Sequence, residues 1–195
     1  MPPRAKVTRE EIVRGAAELG REKGAAALTA KALAQQLHCS TQPIFWVFGN
    51  MENVRAAVRE AALARFGEYL REPQERASAY LSVGLNYIRF AGEEREFFKL
   101  LFMSEDKSDI LAAHEEMPYV LDVIGRTEHI SGEDARRVYE EMWMLSHGIA
   151  TMIATGTARF SEPKVRGMLM DVYRGLVSVI REKDSQRGGI QPQER

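Results

Sequence analysis

The chain has 195 residues and a nearly balanced charge, with 27 Lys and Arg against 28 Asp and Glu. Apolar residues make up 45% of it, which is enough for a real core and excludes disorder of the whole chain. The single cysteine excludes an intramolecular disulfide framework and a multi-cysteine zinc site. Without an apolar leader or a run of about 20 apolar residues, the sequence predicts a cytoplasmic protein with no membrane partner.

Charge is distributed unevenly along the chain. Residues 1–48 carry a net charge of +3, whereas the remaining residues carry a net charge of −4. A positive N-terminal segment on an acidic body favours an anionic partner for that segment alone.

Apolar residues recur at helical spacing along the whole chain, and no hairpin signal interrupts them. Residues 1–7 are predicted to form a loose basic arm. Thr8 and Glu11 have the spacing of a capping box, in which each side chain bonds the other's backbone amide, so we expect the first helix to begin there. Gly24 ends that helix, and Thr29 caps a second helix of about two turns.

A break at His38 and Cys39 separates the second helix from the third. The turn requires a residue that tolerates left-handed backbone geometry, and histidine is among the few besides glycine that do. Ser40 or Thr41 caps the third helix, and Pro43 lies in its first turn, where a missing amide costs little. The sequence therefore predicts two short helices joined by a tight turn.

Six further helices follow the first three. Their predicted ranges are about 51–72, 75–91, 93–103, 118–129, 131–155 and 161–183. Residues 104–110 are predicted to be a loop or a frayed turn. Residues 184–195 are predicted to be a disordered tail because they are polar and rich in glycine.

Two short helices preceded by a third form the layout of a helix-turn-helix motif. We expect Ala34 to pack against Ile44, which would hold the third helix rigidly enough to lie in a major groove. The predicted fold is therefore all-α. It has a three-helix, DNA-binding head in residues 1–50 and a six-helix, C-terminal regulatory bundle in residues 51–183.

The stretch from Leu33 to Val54 resembles the DNA-binding domain of TetR-family transcriptional regulators. The family pattern is approximately I-A-x-x-x-G-V-S-x-x-x-[LI]-Y-x-H-F-x-[NS]-K-[ED]-x-[LV]. The matching residues are Leu33, Ala34, Ser40, Ile44, Phe48, Asn50, Glu52 and Val54. The resemblance implies a homodimer that binds an operator in double-stranded DNA.

Three positions depart from the family pattern. Phe45 replaces the usual tyrosine, Val47 replaces a histidine, and Met51 replaces the lysine at the start of the fourth helix. Tyrosine and lysine at these positions are typical phosphate contacts in the family. Their loss implies that contacts with DNA phosphates contribute less to the binding affinity, unless Arg55 or the N-terminal arm replaces these contacts.

We predict that base edges are contacted from the first turns of the third helix. A glutamine can bond an adenine edge with two hydrogen bonds, and a threonine methyl can touch thymine. Phe45 is either a DNA-facing ring or a packing residue. A basic arm can enter a minor groove, and the start of the second helix favours phosphate. The predicted DNA-binding residues are Arg4, Lys6, Thr29, Lys31, Ser40, Thr41, Gln42, Phe45 and Trp46.

The C-terminal half also resembles TetR-family proteins. Phe90-Ala91 followed by Phe97 to Phe102 is similar to one family pattern, and Trp143 to Gly148 is similar to the W-x-x-x-H-G signature of one subfamily. The resemblance implies dimerisation and a small-molecule effector. The predicted pocket residues are Phe98, Leu101, Phe102, Met117, Leu121, Trp143, Met144 and His147.

Two interpretations of these pocket residues stay open. His147 follows Trp143 by four residues, so both lie on one helical face, and His147 is either a hydrogen-bonded core residue or a polar anchor for an effector. The aromatic residues and methionines are either simple core or the lining of an adaptable pocket.

The ninth helix carries a broad apolar stripe, which usually buries against more than one neighbour. With the eighth helix it would make a four-helix dimer interface in the manner of the family. The predicted interface residues are Leu169, Val172, Tyr173, Leu176, Val177 and Ile180.

The combined prediction is a ligand-responsive transcriptional regulator, a repressor that leaves its palindromic operator when a small apolar effector binds. An activator is an open alternative. So is a helical interaction or ligand-binding protein whose helix-turn-helix no longer reads DNA. No nucleophile–base set, phosphate loop or acidic metal pair supports an enzyme. We therefore expect no catalytic activity, no cofactor and no metal.

Overall fold

The computed structural model of the protein describes residues 7–103 and 115–188, except for the side chains of residue 184 and residues 186–188. The predicted arm residues Arg4 and Lys6 and the predicted loop at 104–110 lie outside these ranges. Within them, no helix is long and apolar enough to cross a membrane.

The described ranges contain nine α-helices and no strand. In chain order they are α1 (Arg9–Lys23), α2 (Ala30–Gln36), α3 (Gln42–Phe48), α4 (Met51–Arg71), α5 (Ala79–Glu93), α6 (Arg95–Phe102), α7 (Met117–Glu128), α8 (Gly132–Thr155) and α9 (Glu162–Gly188). A short 3₁₀ turn at Ala25–Ala27 joins α1 to α2. The predicted all-α fold is confirmed.

The first two helices begin at the predicted capping residues. The Thr8 N–H donates to Glu11 Oε2 at 2.8 Å, and the Glu11 N–H donates to Thr8 Oγ1 at 3.2 Å. At the start of α2, the Ala32 N–H donates to Thr29 Oγ1 at 3.2 Å. These bonds satisfy amides that have no partner within the helix, so they define where each helix starts.

Helix α5 begins later than the sequence predicted, at Ala79 rather than near residue 75. The Leu81 N–H donates to Ser78 Oγ at 3.2 Å, so Ser78 caps the helix. Arg76 has a φ of 55°, which no helix interior accommodates. A turn therefore occupies the residues before Ser78.

Helix α9 runs to Gly188, beyond the predicted end at 183 and into the predicted tail. The residues between 183 and Gly188 include no proline or glycine, so no strong helix breaker interrupts the helix there. Residues 189–195 of the predicted tail lie outside the described ranges.

The chain forms two compact units. Of the described residues, the first comprises 7–69, 90–103 and Glu115, and it contains α1, α2, α3 and α6 with most of α4. The second comprises Leu70–Arg89 and residues 116–188. The three helices of the predicted head therefore share a compact unit with α6 and most of α4.

Each unit has its own core of almost fully buried side chains. In the first unit these include Ile12, Leu19, Leu33, Ile44, Phe66, Phe90, Phe98 and Leu101. In the second unit they include Ile124, Ile149, Leu169 and Ile180.

Candidate nucleic-acid interface and regulatory bundle

The three head helices pack around Ile44 of α3, which is fully buried together with Leu33 of α2 and Ile12 of α1. Helices α1 and α2 approach closely at Gly15. A Cβ atom at Gly15 would lie only 2.8 Å from Leu37 Cδ2, so a larger residue there would force Leu37 to move. This packing holds α3 in a fixed position within the head.

The turn between α2 and α3 has the geometry that the sequence predicted. His38 has a φ of 49°, in the left-handed region. The His38 N–H donates to the Gln35 carbonyl at 3.2 Å, and the Cys39 N–H donates to the Ala34 carbonyl at 3.0 Å. Ala34 is itself buried, as expected for its place beside the turn. These bonds close α2 and set the direction in which α3 starts.

Two asparagines fix the junction between α3 and α4. The Asn53 side-chain amide donates from Nδ2 to the Phe48 carbonyl at 2.7 Å, at the end of α3. The Asn53 N–H donates to Asn50 Oδ1 at 2.9 Å, at the start of α4. Between the helices, Gly49 has a φ of 75°, which favours glycine. Helix α3 is therefore held at both ends.

The outward side of α3 is dominated by large apolar side chains. Trp46 is 73% exposed, Phe45 is 41% exposed and Val47 is 40% exposed, and Gln42 is also exposed. We call these four residues the reading face. Three exposed apolar side chains on one short helix exceed the single scattered exposures that are normal on a protein surface. Phe45, for which the sequence left two interpretations, has its ring at the surface.

The other predicted DNA-binding residues within the described ranges also lie at the surface. Lys31 on α2 is exposed, as are Thr29, Ser40 and Thr41. Thr29 Oγ1 is engaged in capping α2, whereas the Thr41 side chain makes no capping bond to α3. These side chains are therefore exposed on the three head helices and the turns between them, in the first unit.

Sequence reasoning missed Val47 and Arg9. Val47 is a departure from the family pattern, and only its exposure on α3 shows that it extends the reading face. The Arg9 guanidinium lies over the Phe48 ring, 5.1 Å from the ring centroid, so this cation is fixed near the end of α3. No local sequence signal reports a contact between residues so far apart along the chain.

A buried carboxylate connects α1 to α4. Glu94 lies in the chain between α5 and α6, and its side chain is fully buried. Arg21 donates two hydrogen bonds to this carboxylate, from Nε to Oε2 and from Nη2 to Oε1, the second at 2.8 Å. Arg65 Nε donates to Glu94 Oε1 at 3.4 Å, and the Tyr69 hydroxyl lies 3.5 Å from the same oxygen. A buried carboxylate is stable only when it is paired, so this network fixes the head against α4.

Two groups of this network have pKa values raised above their ordinary values. Burial raises the pKa of Tyr69 to about 12, helped by its hydrogen bond to Glu93 at 2.8 Å. The hydrogen bond to Glu68 raises the pKa of Arg65 above its ordinary value. Tyr69 therefore stays neutral and Arg65 stays charged across the physiological pH range.

Three of the predicted pocket residues belong to the core of the first unit. Phe98 and Leu101 are fully buried. The Phe98 and Phe102 ring centroids are 5.0 Å apart, and Phe66 meets the rings of Phe90 and Phe102 edge to face, each at 5.2 Å. These residues form a packed aromatic cluster with geometry that favours stability.

The remaining predicted pocket residues belong to the second unit, where two of them form a polar cluster. The Trp143 and His147 rings stack with centroids 5.2 Å apart and an interplanar angle of 22°. The Tyr87 hydroxyl lies 3.0 Å from His147 Nδ1, and Thr151 Oγ1 lies 3.4 Å from His147 Nε2. We call Tyr87, Trp143, His147 and Thr151 the histidine cluster. Sequence reasoning did not find Tyr87, because it lies on α5.

The three other predicted pocket residues of the second unit lie on α7 and α8. Met144 is 58% exposed, so it lies on the surface of the chain rather than in a cavity. Met117 and Leu121 are half-buried on α7. The interpretation of His147 as a hydrogen-bonded residue accounts for its two polar contacts within the chain.

We predict a pH-dependent contribution of His147 to stability. Burial lowers the pKa of His147 below its ordinary value of 6.5. The folded state therefore binds the proton less readily than the unfolded state, so this contribution is complete above 6.5 and is lost as the pH falls towards the folded-state value. Urea unfolding at about pH 7.5 and about pH 5.5 should show a smaller pH-dependent loss in His147→Gln than in the wild type.

The matched control for this experiment is His129→Asn. His129 is exposed and has a φ of 58°, a backbone conformation that asparagine also tolerates. The control should keep the wild-type dependence on pH. An identical dependence in His147→Gln and the wild type would contradict the prediction.

The predicted dimer stripe on α9 faces the chain's own core for most of its length. Val172 is exposed, and so is Val179, which lies two turns later on the same side. Gly175 lies between them with open space around it. We call Val172, Gly175 and Val179 the free face of α9. The predicted interface residues that are instead buried within the chain are Leu169, Tyr173, Leu176, Val177 and Ile180.

The arrangement of helices is found in known structures. One, with 19% identity and a TM-score of 0.68, is a protein of unknown function from Rhodococcus sp. RHA1; the match covers 91% of this chain and 98% of that one. Another, with 16% identity and a TM-score of 0.55, is a TetR variant from Acinetobacter baumannii AYE in complex with minocycline; the coverage is again 91% and 98%. The fold is TetR-like. No family model and no curated protein matches the sequence.

Within the described ranges, the three N-terminal helices followed by six further helices agree with the predicted all-α architecture. In this chain α1 to α3 correspond to the head. The reading face is the outward side of α3, the helix that follows the tight turn.

Proposed function

We propose that this protein is a cytoplasmic, homodimeric transcriptional repressor that binds a palindromic operator and leaves it when a small apolar effector binds. One observation carries the proposal. Helix α3, fixed at both ends, presents Gln42, Phe45 and Trp46 outward from a TetR-like head. A rigid helix with exposed polar and aromatic side chains can enter the major groove, which is about 12 Å wide.

Two copies of the head are needed to read a two-fold-symmetric operator. The half-sites of such operators lie about 34–36 Å apart, or at multiples of that distance, so that both helices enter major grooves on one side of the duplex. Lys31 supports binding as an exposed cation on α2 that can contact phosphate. The net charge of +3 over residues 1–48 favours approach to DNA.

The free face of α9 supports dimerisation. Val172 and Val179 are exposed apolar residues one above the other, and Gly175 between them allows a second helix to approach closely. Helix α8 also exposes Met144, and Gly148, one turn further along, has open space around it. A four-helix interface built from these two faces would cover them.

We expect Val172→Glu to convert the dimer into a monomer, because a carboxylate at this position would be buried without a partner in the interface. Sedimentation velocity at micromolar concentration measures the change. The matched control is Arg174→Glu, an exposed position about 200° around α9 from Val172, which should stay dimeric. If Val172→Glu also stays dimeric, the dimer uses another surface.

The histidine cluster supports the effector part of the proposal. Tyr87, Trp143 and His147 combine flat apolar rings with hydrogen-bonding atoms, which suits an apolar ligand that carries one polar group. The A. baumannii TetR variant is in complex with minocycline, so at least one protein with this fold binds a small molecule. A ligand that favours a conformation in which the two heads no longer match the operator would shift the population away from the DNA-bound state.

Selection of random duplex DNA by the purified protein, at low and at physiological salt, tests the proposed function. We expect enrichment of a two-fold-symmetric motif. Enrichment of no motif, even at low salt, would contradict the proposal. Transcript levels of the genes beside the enriched sites, in cells with and without the protein, then distinguish a repressor from an activator.

A further inference from the structure

The composition of α3 restricts which base pairs the reading face can recognise. The chain carries no charged residue from Cys39 to Met51, a range that includes all of α3. Guanine is most commonly recognised by arginine or lysine, which bonds both O6 and N7 in the major groove. Helix α3 has neither, so it lacks the usual means of reading a G·C pair.

The residues that α3 does expose match the other base pair. Gln42 can bond adenine N6 and N7 with its side-chain amide. Phe45, Trp46 and Val47 are exposed apolar side chains at successive positions of α3. In the major groove the apolar group on an ordinary base edge is the C5 methyl of thymine. Adenine and thymine are the two halves of one pair, so one A·T pair can satisfy both kinds of side chain.

We propose that the operator half-site is read as A·T pairs, with Gln42 bonded to adenine and the apolar residues of the reading face packed on thymine methyl groups. This inference rests on the proposed function and adds its base specificity. Burial of these apolar side chains against methyl groups also gives them a partner in the bound state. Trp46 contributes the largest exposed surface, so its contact with a methyl group dominates the preference.

Replacement of thymine by deoxyuridine in the selected operator tests the proposal. Deoxyuridine keeps every hydrogen-bonding atom of thymine and lacks only the methyl group. We expect binding to weaken by about fourfold for each contacted methyl that is removed, as measured by fluorescence anisotropy titration. The matched control duplex carries the same number of deoxyuridines outside the half-sites, and its affinity should be unchanged.

A protein variant tests which side chain packs on the thymine methyl group. If Trp46 packs on a methyl group, Trp46→Ala should be much less sensitive to deoxyuridine than the wild type, because the two changes remove the same interaction. The fold should tolerate this substitution because Trp46 is largely exposed. Lys31→Ala, on α2, should keep the full sensitivity.

Four results would overturn the proposal, and they are distinguishable. Sequence-specific binding that is indifferent to deoxyuridine, or half-sites with G·C at the positions that α3 contacts, would overturn the base preference and leave the proposed function standing. The absence of sequence-specific binding would overturn both. Self-association that Trp46→Ala abolishes, without any change in DNA binding, would show that a second copy of the chain covers the reading face.

Discussion

Trp46→Ala should weaken operator binding by about thirtyfold, which corresponds to about 2 kcal/mol. Trp46 is the most exposed large apolar residue of the described chain, and it lies in the middle of the reading face. Truncation of an aromatic anchor at the centre of an interface removes a large buried area from the complex. Fluorescence anisotropy with the selected operator measures the loss, and the midpoint of thermal unfolding should stay unchanged.

Two further variants separate reading of bases from attraction to phosphate. Gln42→Ala should cost about 1–3 kcal/mol on the operator and relax the preference at one base pair. Lys31→Ala should weaken binding to operator and scrambled duplex equally and reduce the dependence on salt. If Gln42→Ala also weakened both duplexes equally, Gln42 would not read a base.

The largest expected effect on stability comes from Phe98→Ala. Phe98 is fully buried, and its ring lies 5.0 Å from the Phe102 ring in the aromatic cluster of the first unit. Deletion of a buried phenyl group typically costs about 3–5 kcal/mol, because the cavity that remains collapses only partly. Urea unfolding measures the loss, and the milder variant Phe98→Leu keeps the prediction testable if Phe98→Ala does not fold.

This prediction also separates the two interpretations that the sequence left open for Phe98. A core residue loses the full amount when it is truncated, whereas a residue that lines an existing pocket leaves less new cavity and costs less. Phe45→Ala is the matched control, because its ring is at the surface and its removal should change stability by less than about 0.5 kcal/mol. A loss below about 1 kcal/mol in Phe98→Ala would contradict its place in the core.

Local chemistry explains why much of the fold could be predicted from the sequence. The capping box at Thr8, the cap at Thr29 and the left-handed turn at His38 each depend on residues within a few positions of one another. The helical period then separates the buried Ile44 and Phe48 of α3 from the exposed Trp46. The same helical period predicts that Thr41, Gln42 and Trp46 lie on the side of α3 away from Ile44 and Phe48.

Contacts between distant residues could not be predicted in this way. The pairing of Arg21 with Glu94, which fixes the head against α4, joins helices that are far apart in the chain. The hydrogen bond between Tyr87 and His147 is of the same kind. No periodic pattern reports which charged or polar side chains meet after folding.

The division of the apolar stripe on α9 into an inward and an outward side could not be predicted, for a different reason. It is apolar over more than half of the helix surface, so the sequence does not show which side packs within the chain and which side is left for a partner. The structure resolves this. Leu169 and Ile180 face inward, whereas Val172 and Val179 face outward.

The ratio of two affinities tests the central claim, that α3 reads DNA sequence, most directly. The affinity of the full-length protein for the selected operator is compared, at about 0.15 M salt, with its affinity for a duplex of equal length in which both half-sites are scrambled. A sequence-specific regulator should prefer the operator by about a thousandfold or more. A ratio near one would mean that the head binds only the DNA backbone and that α3 does not read the DNA sequence.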